Sequence, residues 1–500
     1  MNKFDVIIIG SGLGGLVSGV ILSKEGYNVC VIEKQQHIGG CIQHFTRDNC
    51  IFDVGGHYIG GLEKGQNLRA FFNYLGIFDK LNLRKLDVDC FDKIMFPDGE
   101  NYNFAMGFEN HKEKLLEKFP NENKAISEYL SKIRETCDRF PLYNLKKTDN
   151  PLIESIMQND GFDEVLNGLT NNQKLKSVLA GTNSLYAGTK TKTPFYINAL
   201  IMNSYIESSW RLVDGSSQMA FLLKNQIESN GGKVLTDHEA EGFNFKDNCI
   251  NSVNIRDKEQ LFADNFISNI HPTLTLKMIP EDKVRRAYRK RINNLDNTIG
   301  MFTVYGIFEE NSFPYINYNS YIFRDSNVWT ADTYSLGNYP EHCMMITPAN
   351  SKSDKYADSF ILMTYMDFSE FSKWTHTNIE NRGNDYKDFK EQKAQQLIDL
   401  TEKYYPGLKS KIKKYYTSTP LTYRDYTGTI EGSLYGITRD YNDLVRSVIF
   451  PKTHIPNLFM TGQNVNLHGV LGVTIGSILT CSELIGLHPL INKIIVANNL

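Results

Sequence analysis

The chain opens on an apolar run, Phe4-Asp5-Val6-Ile7-Ile8-Ile9, which predicts a strand buried on both faces. Leu16, Val17, Val20 and Ile21 then recur at helical spacing until Gly26, and 28–32 is a second apolar run. Leu68, Phe71, Phe72 and Leu75 mark one face of a helix over 66–78. Runs at 93–96 and 102–105 flank the turn signal Pro97-Asp98-Gly99-Glu100 and predict a β-hairpin. Over 109–140 the pattern is helical and heavily charged, broken at Pro120. Helices continue through 150–210, at 162–169, 175–179 and the aromatic-rich 195–210. The segment 213–217 leads into a helix on Met219, Leu222, Leu223 and Ile227, and Gly231-Gly232-Lys233-Val234-Leu235 starts a strand. The stretch 299–420 is strand-rich, alternating over 301–308 and 360–366, with an amphipathic helix at 387–404. A last buried strand, 457–462, ends at a glycine and precedes an apolar helix over 469–487.

Composition narrows the classes. A chain of 500 residues buries a large core and predicts two or three domains, or one with insertions. With 54 basic and 57 acidic residues the net charge is −3, which gives no reason to expect nucleic acid as a partner. The eight cysteines form no C-x-x-C pair and no metal-like spacing, so they read as reduced core residues and no metal is expected. Cys41, beside a glycine turn, is the one placed for a reactive role. Met1-Asn2-Lys3 leads directly into the first strand, and no run reaches the roughly 18–20 apolar residues that span a bilayer. The expectation is a cytoplasmic protein, with contact at a membrane surface left open.

Candidate chemistry sits at the ends of the strands. Gly10-Ser11-Gly12-Leu13-Gly14-Gly15 satisfies G-x-G-x-x-G at Gly10, Gly12 and Gly15. Such glycines allow a tight turn, close approach of a pyrophosphate and close packing of helix on strand. The helix N-terminus then offers free N–H groups and partial positive charge to phosphates. Glu33, ending the second strand, is placed to accept hydrogen bonds from ribose hydroxyls. An NAD domain usually continues into another strand–helix unit; here Gly39-Gly40-Cys41 makes a second glycine turn, followed by Gly55-Gly56. Far downstream, Gly462-Gln463 and then Gly469-Val470-Leu471-Gly472 put small residues at a helix start, where a flavin can lie against the backbone. The two distant segments together favour FAD over NAD.

With Phe52-Asp53-Val54-Gly55-Gly56-His57-Tyr58-Ile59-Gly60, these motifs resemble the FAD-containing carotenoid desaturases, carotenoid isomerases and retinol saturases, within the amine-oxidase-like flavoproteins. His57-Tyr58-Ile59-Gly60, and Gln463 where many FAD proteins carry an acid, look most like the retinol saturase branch. The resemblance spans nearly the whole chain but is specific at 4–60, 213–272 and 419–486. It implies an α/β fold: a Rossmann-like FAD-binding domain of the amine-oxidase/glutathione-reductase type, discontinuous over 1–60, 213–275 and 420–490. The inserted substrate domain, helical plus mixed sheet, takes 61–212 and 276–419. The flavin set it implies is Gly10, Ser11, Gly12, Leu13, Gly14, Gly15, Glu33, Lys34, Gly39, Gly40, Cys41, Gly55, Gly56, Ala240, Gly462, Gln463, Gly469, Val470 and Thr474.

The implied activity is oxidoreduction of a C=C bond in a conjugated polyene or isoprenoid, of the all-trans-retinol 13,14-reductase type. His57 and His468 flank the glycine segments and are candidates to orient substrate or relay a proton, with an ordinary pKa of about 6.5; Tyr58 and Tyr423 are further candidates. The implied partner is a lipophilic small molecule, and with it peripheral membrane contact. NAD(P)H is a candidate electron donor, although no second complete glycine fingerprint is present. Three alternatives stay open: a desaturase or isomerase on the same scaffold, an amine-oxidase-like enzyme, and a non-enzymatic prenyl-binding protein of the GDP-dissociation-inhibitor type. Oligomeric state is not legible.

Overall fold

A computed structural model describes residues 3–148, 151, 154, 160–379, 381–465 and 467–499. The helical expectation over 150–159 otherwise lies outside the described residues.

The apolar run at the start forms the strand Phe4–Ile9, at the middle of a seven-stranded sheet. It pairs in parallel with Val29–Ile32 on one side and Leu261–Ser268 on the other. Lys233–Leu235 extends the sheet beyond Val29–Ile32, and Leu458–Met460 pairs in parallel with the end of Leu261–Ser268. Val29–Ile32 and Leu458–Met460 are buried throughout, as expected where a parallel sheet is covered on both faces. One cover is the helix Leu13–Lys24, against which the late helix Gly469–Ile485 packs. An antiparallel pair, Ala240–Lys246 with Cys249–Ile255, completes the sheet. The fold is thus α/β, with strands from both ends of the chain assembled side by side.

A second seven-stranded sheet runs Ile412–Ser418, Gly300–Phe308, Ser359–Met366, His342–Ile346, Asn319–Phe323, Asp92–Met95, Asn101–Phe104. The 93–105 hairpin is present, and its first strand joins the sheet parallel to Asn319–Phe323. The alternation read over 301–308 is not inside against outside, because every residue of Gly300–Phe308 is buried. Phe302 and Val304 face a core shared with Leu397 of the helix Asn384–Glu402, whereas Met301 and Tyr305 face the main core. Both sides of this sheet are therefore covered.

Helix ends shift by a few residues from the pattern, as in Asn384–Glu402 against 387–404, and two of the shifted ends have a local cause. The first stops at Leu75, where Gly76 takes φ 74° as a left-handed cap, rather than running to Phe78. The aromatic-rich helix is Phe195–Glu207, and Trp210 lies instead in the strand Ser209–Leu212. Ser208 breaks the helix in an extended conformation, and Trp210 pairs with Ile59 on one side and Lys85 on the other. Among the described residues no helix is long and apolar enough to cross a membrane.

Candidate functional site

The two glycine segments meet. Gly10 turns the chain at φ 95°, and its N–H donates to Ile32 O at 2.8 Å. A Cβ on Gly15 would lie 2.0 Å from Gly10 O, so the helix Leu13–Lys24 sits directly on the turn. At Gly14 a Cβ would come within 2.9 Å of Gly462 Cα and 2.5 Å of Asn269 Oδ1. Ser477, on the closing helix, donates from Oγ to Gly14 O at 3.1 Å. The second glycine turn closes over the first: Gly39 N–H donates to Ser11 O at 3.0 Å. Asn269, to which the sequence assigned nothing, keys the junction by donating from Nδ2 to Gly10 O at 3.2 Å.

These segments line one end of a cavity of 660 Å³. Gly10, Gly12, Leu13, Gly14, Glu33, Lys34, Gly39, Gly40, Cys41, Gly55, Gly56, Ala240, Gly462, Gln463, Gly469 and Val470 all stand on its wall. Ser11, Gly15 and Thr474 stand behind it. Ser11 donates from N at 2.9 Å and from Oγ at 2.7 Å to Glu33 Oε2, while Gln35 N–H donates to Oε1 at 3.0 Å. The Glu33 carboxylate is thereby aimed, with lone pairs to spare for two ribose hydroxyls. Thr474 spends its hydroxyl on Val470 O, 2.8 Å away within its own helix. Burial pushes the Cys41 thiol up to about 11, so it remains a protonated, unreactive thiol.

Two helix N-termini face this end. Neither Leu13–Lys24 nor Gly469–Ile485 has a side-chain cap, and their N-cap residues are Gly12 and His468. Uncapped N–H groups aimed into a cavity bind anions and partial negative charge.

Past the glycines the cavity turns apolar, along Ile197, Leu200, Ile201, Met301, Met344, Met363 and Leu471. His57 and His468 both line it. Burial first, then the Arg211 charge, pushes His57 down to about 4. Burial first, then Arg439, likewise pushes His468 down to about 4 against a main-chain hydrogen bond at Leu185. Both imidazoles are therefore neutral at pH 7, which corrects the ordinary value of about 6.5 expected from the sequence. The Tyr435 ring lies 4.7 Å from that of His468.

Both tyrosines are committed to the wall. Tyr423 donates to Val54 O at 3.3 Å. Tyr58 donates to Asp92 Oδ2 at 2.9 Å, its oxygen lies 2.6 Å from that of Tyr321, and its ring stacks on Tyr205 at 4.4 Å. Behind Tyr58 lies a fully buried polar network absent from the sequence reading. Asn319 donates to Asp92 Oδ1 at 2.8 Å and accepts from Arg211 at 3.0 Å. Arg211 also donates to Ile316 O at 2.8 Å, Tyr318 O at 2.7 Å and Thr347 O. Burial raises Asp92 to about 7, against the hydrogen bonds from Asn319 and Tyr58 and the Arg211 charge. The available signal was Arg211 in the otherwise uncharged run 208–213, and Asp92 two residues before the apolar run 94–96.

The chain is similar to known proteins over nearly its whole length. The family described as NAD(P)-binding Rossmann-like domain matches residues 8–75. The chain is 25% identical to an all-trans-retinol 13,14-reductase of Danio rerio, over 97% of this chain and 86% of that protein. It is 24% identical to a chloroplastic prolycopene isomerase 2 of an Oncidium hybrid cultivar, over 54% of this chain and 48% of the relative. A solved putrescine oxidase bound to putrescine shares the fold at TM-score 0.65 and 14% identity, over 97% of this chain and 99% of that one. Sequence and fold together make the chain an oxidoreductase that fits the family of carotenoid desaturases, carotenoid isomerases and retinol saturases.

Proposed function

We propose that the chain binds FAD along the glycine-lined end of the cavity and acts on a C=C bond of a conjugated polyene or isoprenoid held at the apolar end, in the manner of a retinol saturase. The observation that carries this reading is the contact between Gly14 and Gly462, where a side chain at either position finds no room. It leaves bare main chain and two helix N-termini facing a dinucleotide-sized trough. Gly10, Gly12 and Gly39 would hold the pyrophosphate, Glu33 a ribose, the Ala240 main chain the adenine, and Gly56, Gln463 and Val470 the ring system. When bound there, a flavin supplies hydride exchange with carbon.

The chain's own residues hold and dry the substrate. The apolar wall excludes water, and the neutral imidazoles of His57 and His468 orient substrate without placing a cation beside it. The segments 1–60, 213–275 and 420–490 then serve the flavin, and 61–212 with 276–419 the substrate.

The similarity to a prolycopene isomerase supports a second reading, in which the same site isomerises without net redox. One experiment separates them: anaerobic incubation of the chemically reduced protein with a panel of retinoids, carotenoids and quinones. Flavin reoxidation with a product heavier by two hydrogens is the expected result. A geometric isomer of unchanged mass would favour the second reading, and a protein that takes up no FAD would end both.

A further inference from the structure

A second concavity, of 910 Å³, lies against the first. Val54 and Tyr423 belong to both walls, and the bond from Tyr423 to Val54 O forms part of the partition. Its charge is one-sided. Arg47, Lys224, Lys387 and Lys390 line it against the single carboxylate of Glu391, which is taken by the Tyr415 hydroxyl and Gln395.

The cations are spread over three separate elements. Lys387 and Lys390 come from the helix Asn384–Glu402, Lys224 from Ser217–Ser229 and Arg47 from His44–Arg47. Lys224 has a carboxylate within reach, Glu228 at 3.7 Å. Arg47 has ring faces instead: its guanidinium lies 5.6 Å from the centre of Phe45 and 6.0 Å from that of Tyr416. The charged neighbours that act on Lys390 are both cations, Arg382 and Lys387, and burial with their repulsion lowers its pKa. A half-buried ammonium among cations is a place an anion relieves.

From this geometry we infer that the second groove binds a nicotinamide dinucleotide, phosphorylated or not, its phosphates on the cations of Arg47, Lys224, Lys387 and Lys390. A concave site lined by four cations from three elements suits an elongated ligand with a pyrophosphate at its middle. A membrane surface is flat and does not fill a concavity of 910 Å³.

The inference rests on the reading above for its purpose, since saturating a C=C bond consumes two electrons. The balance is NAD(P)H plus a proton plus C=C, giving NAD(P)⁺ plus CH–CH: the nicotinamide loses a hydride and is oxidised, and the polyene gains two hydrogens and is reduced.

The test is calorimetric titration of oxidised NADP⁺ into the flavin-loaded full chain, with no polyene present. We expect saturable binding weakened by about tenfold or more in Lys387→Glu/Lys390→Glu and in Arg47→Glu, since about 1.4 kcal/mol is a factor of ten. Lys124→Glu, at an exposed position on the helix Asn123–Asp138, should leave it unchanged. No binding up to about 1 mM, the range of about −4 kcal/mol, or equal affinity in the charge-reversed variants, overturns the inference. So does retention of the wild-type chain, but not of these variants, on anionic vesicles without NADP⁺ binding, which would make the groove a lipid-headgroup surface. A chain that binds NADP⁺ yet reduces no polyene contradicts the functional reading alone; a polyene reductase without groove binding contradicts this inference alone.

Discussion

At the dinucleotide end of the cavity the wall is main chain, brought together from Gly10–Gly14, Gly39–Gly40 and Gly462. At the other end it is side chains, drawn from helix Phe195–Glu207, from the second sheet and from Leu434 and Leu471. The first surface recognises a ligand by absence of side chains and by helix dipoles, so it tolerates almost no substitution. The second recognises it by shape and dryness, so its specificity can be reset one side chain at a time. The contrast explains how a common cofactor frame can serve different substrates.

The sharpest way to break the contrast is at the first end. Gly14→Val must push the closing segment away, because its Cβ would sit 2.9 Å from Gly462 Cα. The expected outcome is a folded, colourless protein, checked by circular dichroism beside the 450 nm flavin band, roughly the region where an oxidised flavin cofactor absorbs. Arg211→Met should come next in size. It strips the main-chain carbonyls and Asn319 of their donor in a fully buried site, and about 3–5 kcal/mol of stability should be lost in urea unfolding.

At the second end, Ile201→Trp should keep flavin content intact while filling the cavity. The expected reading is a KM for polyene raised about tenfold, the usual scale for one misfitted apolar group. Equal loss of flavin and substrate binding would erase the distinction between the two ends.

Acidity gives a smaller and more distributed effect. Burial holds His57, His271 and His468 down to about 4, so the folded chain binds fewer protons than the unfolded chain between pH 6.5 and 4. Their contribution is intact above pH 6.5 and declines as pH falls through that window. Asp53 and Asp92, raised to about 6 and about 7, act in the opposite sense and gain stability as they protonate. His111 at about 4 and His342 at about 3 add to the first set, and Glu207, Asp332, Glu341 and Glu370, raised by burial, add to the second, so one histidine's share is read by substitution: the His57→Phe chain should lose less urea midpoint between pH 6.5 and 4.5 than the unsubstituted chain. The same pH dependence in the two chains would contradict a buried neutral imidazole at His57.

Much of the first end was legible in the chain because its signals are local. The run Phe4–Ile9, the glycines that follow and Glu33 lie within one strand–helix–strand unit, and the strand before Gly462 announces itself the same way. Asn269 was not legible: a lone amide after an apolar strand acquires its role only when Gly10, Gly14 and Gly462 converge on it. The helical spacing of its aromatic neighbours places Trp210 in a helix, whereas its strand exists only through Ile59 and Lys85, far away in sequence. The Asp92–Asn319–Arg211 network hid for the same reason, since each member needs partners from a different strand. The acidities of His57 and His468 are likewise set by burial, which a residue's identity does not carry.

The most direct measurement of the central claim is the FAD released by heat from purified, reconstituted protein, counted per chain by absorbance and mass. One FAD per chain, lost in Gly14→Val and retained in Ile201→Trp, is the result this account predicts. A chain that folds but retains no FAD, or that holds it equally well with valine at position 14, would contradict it.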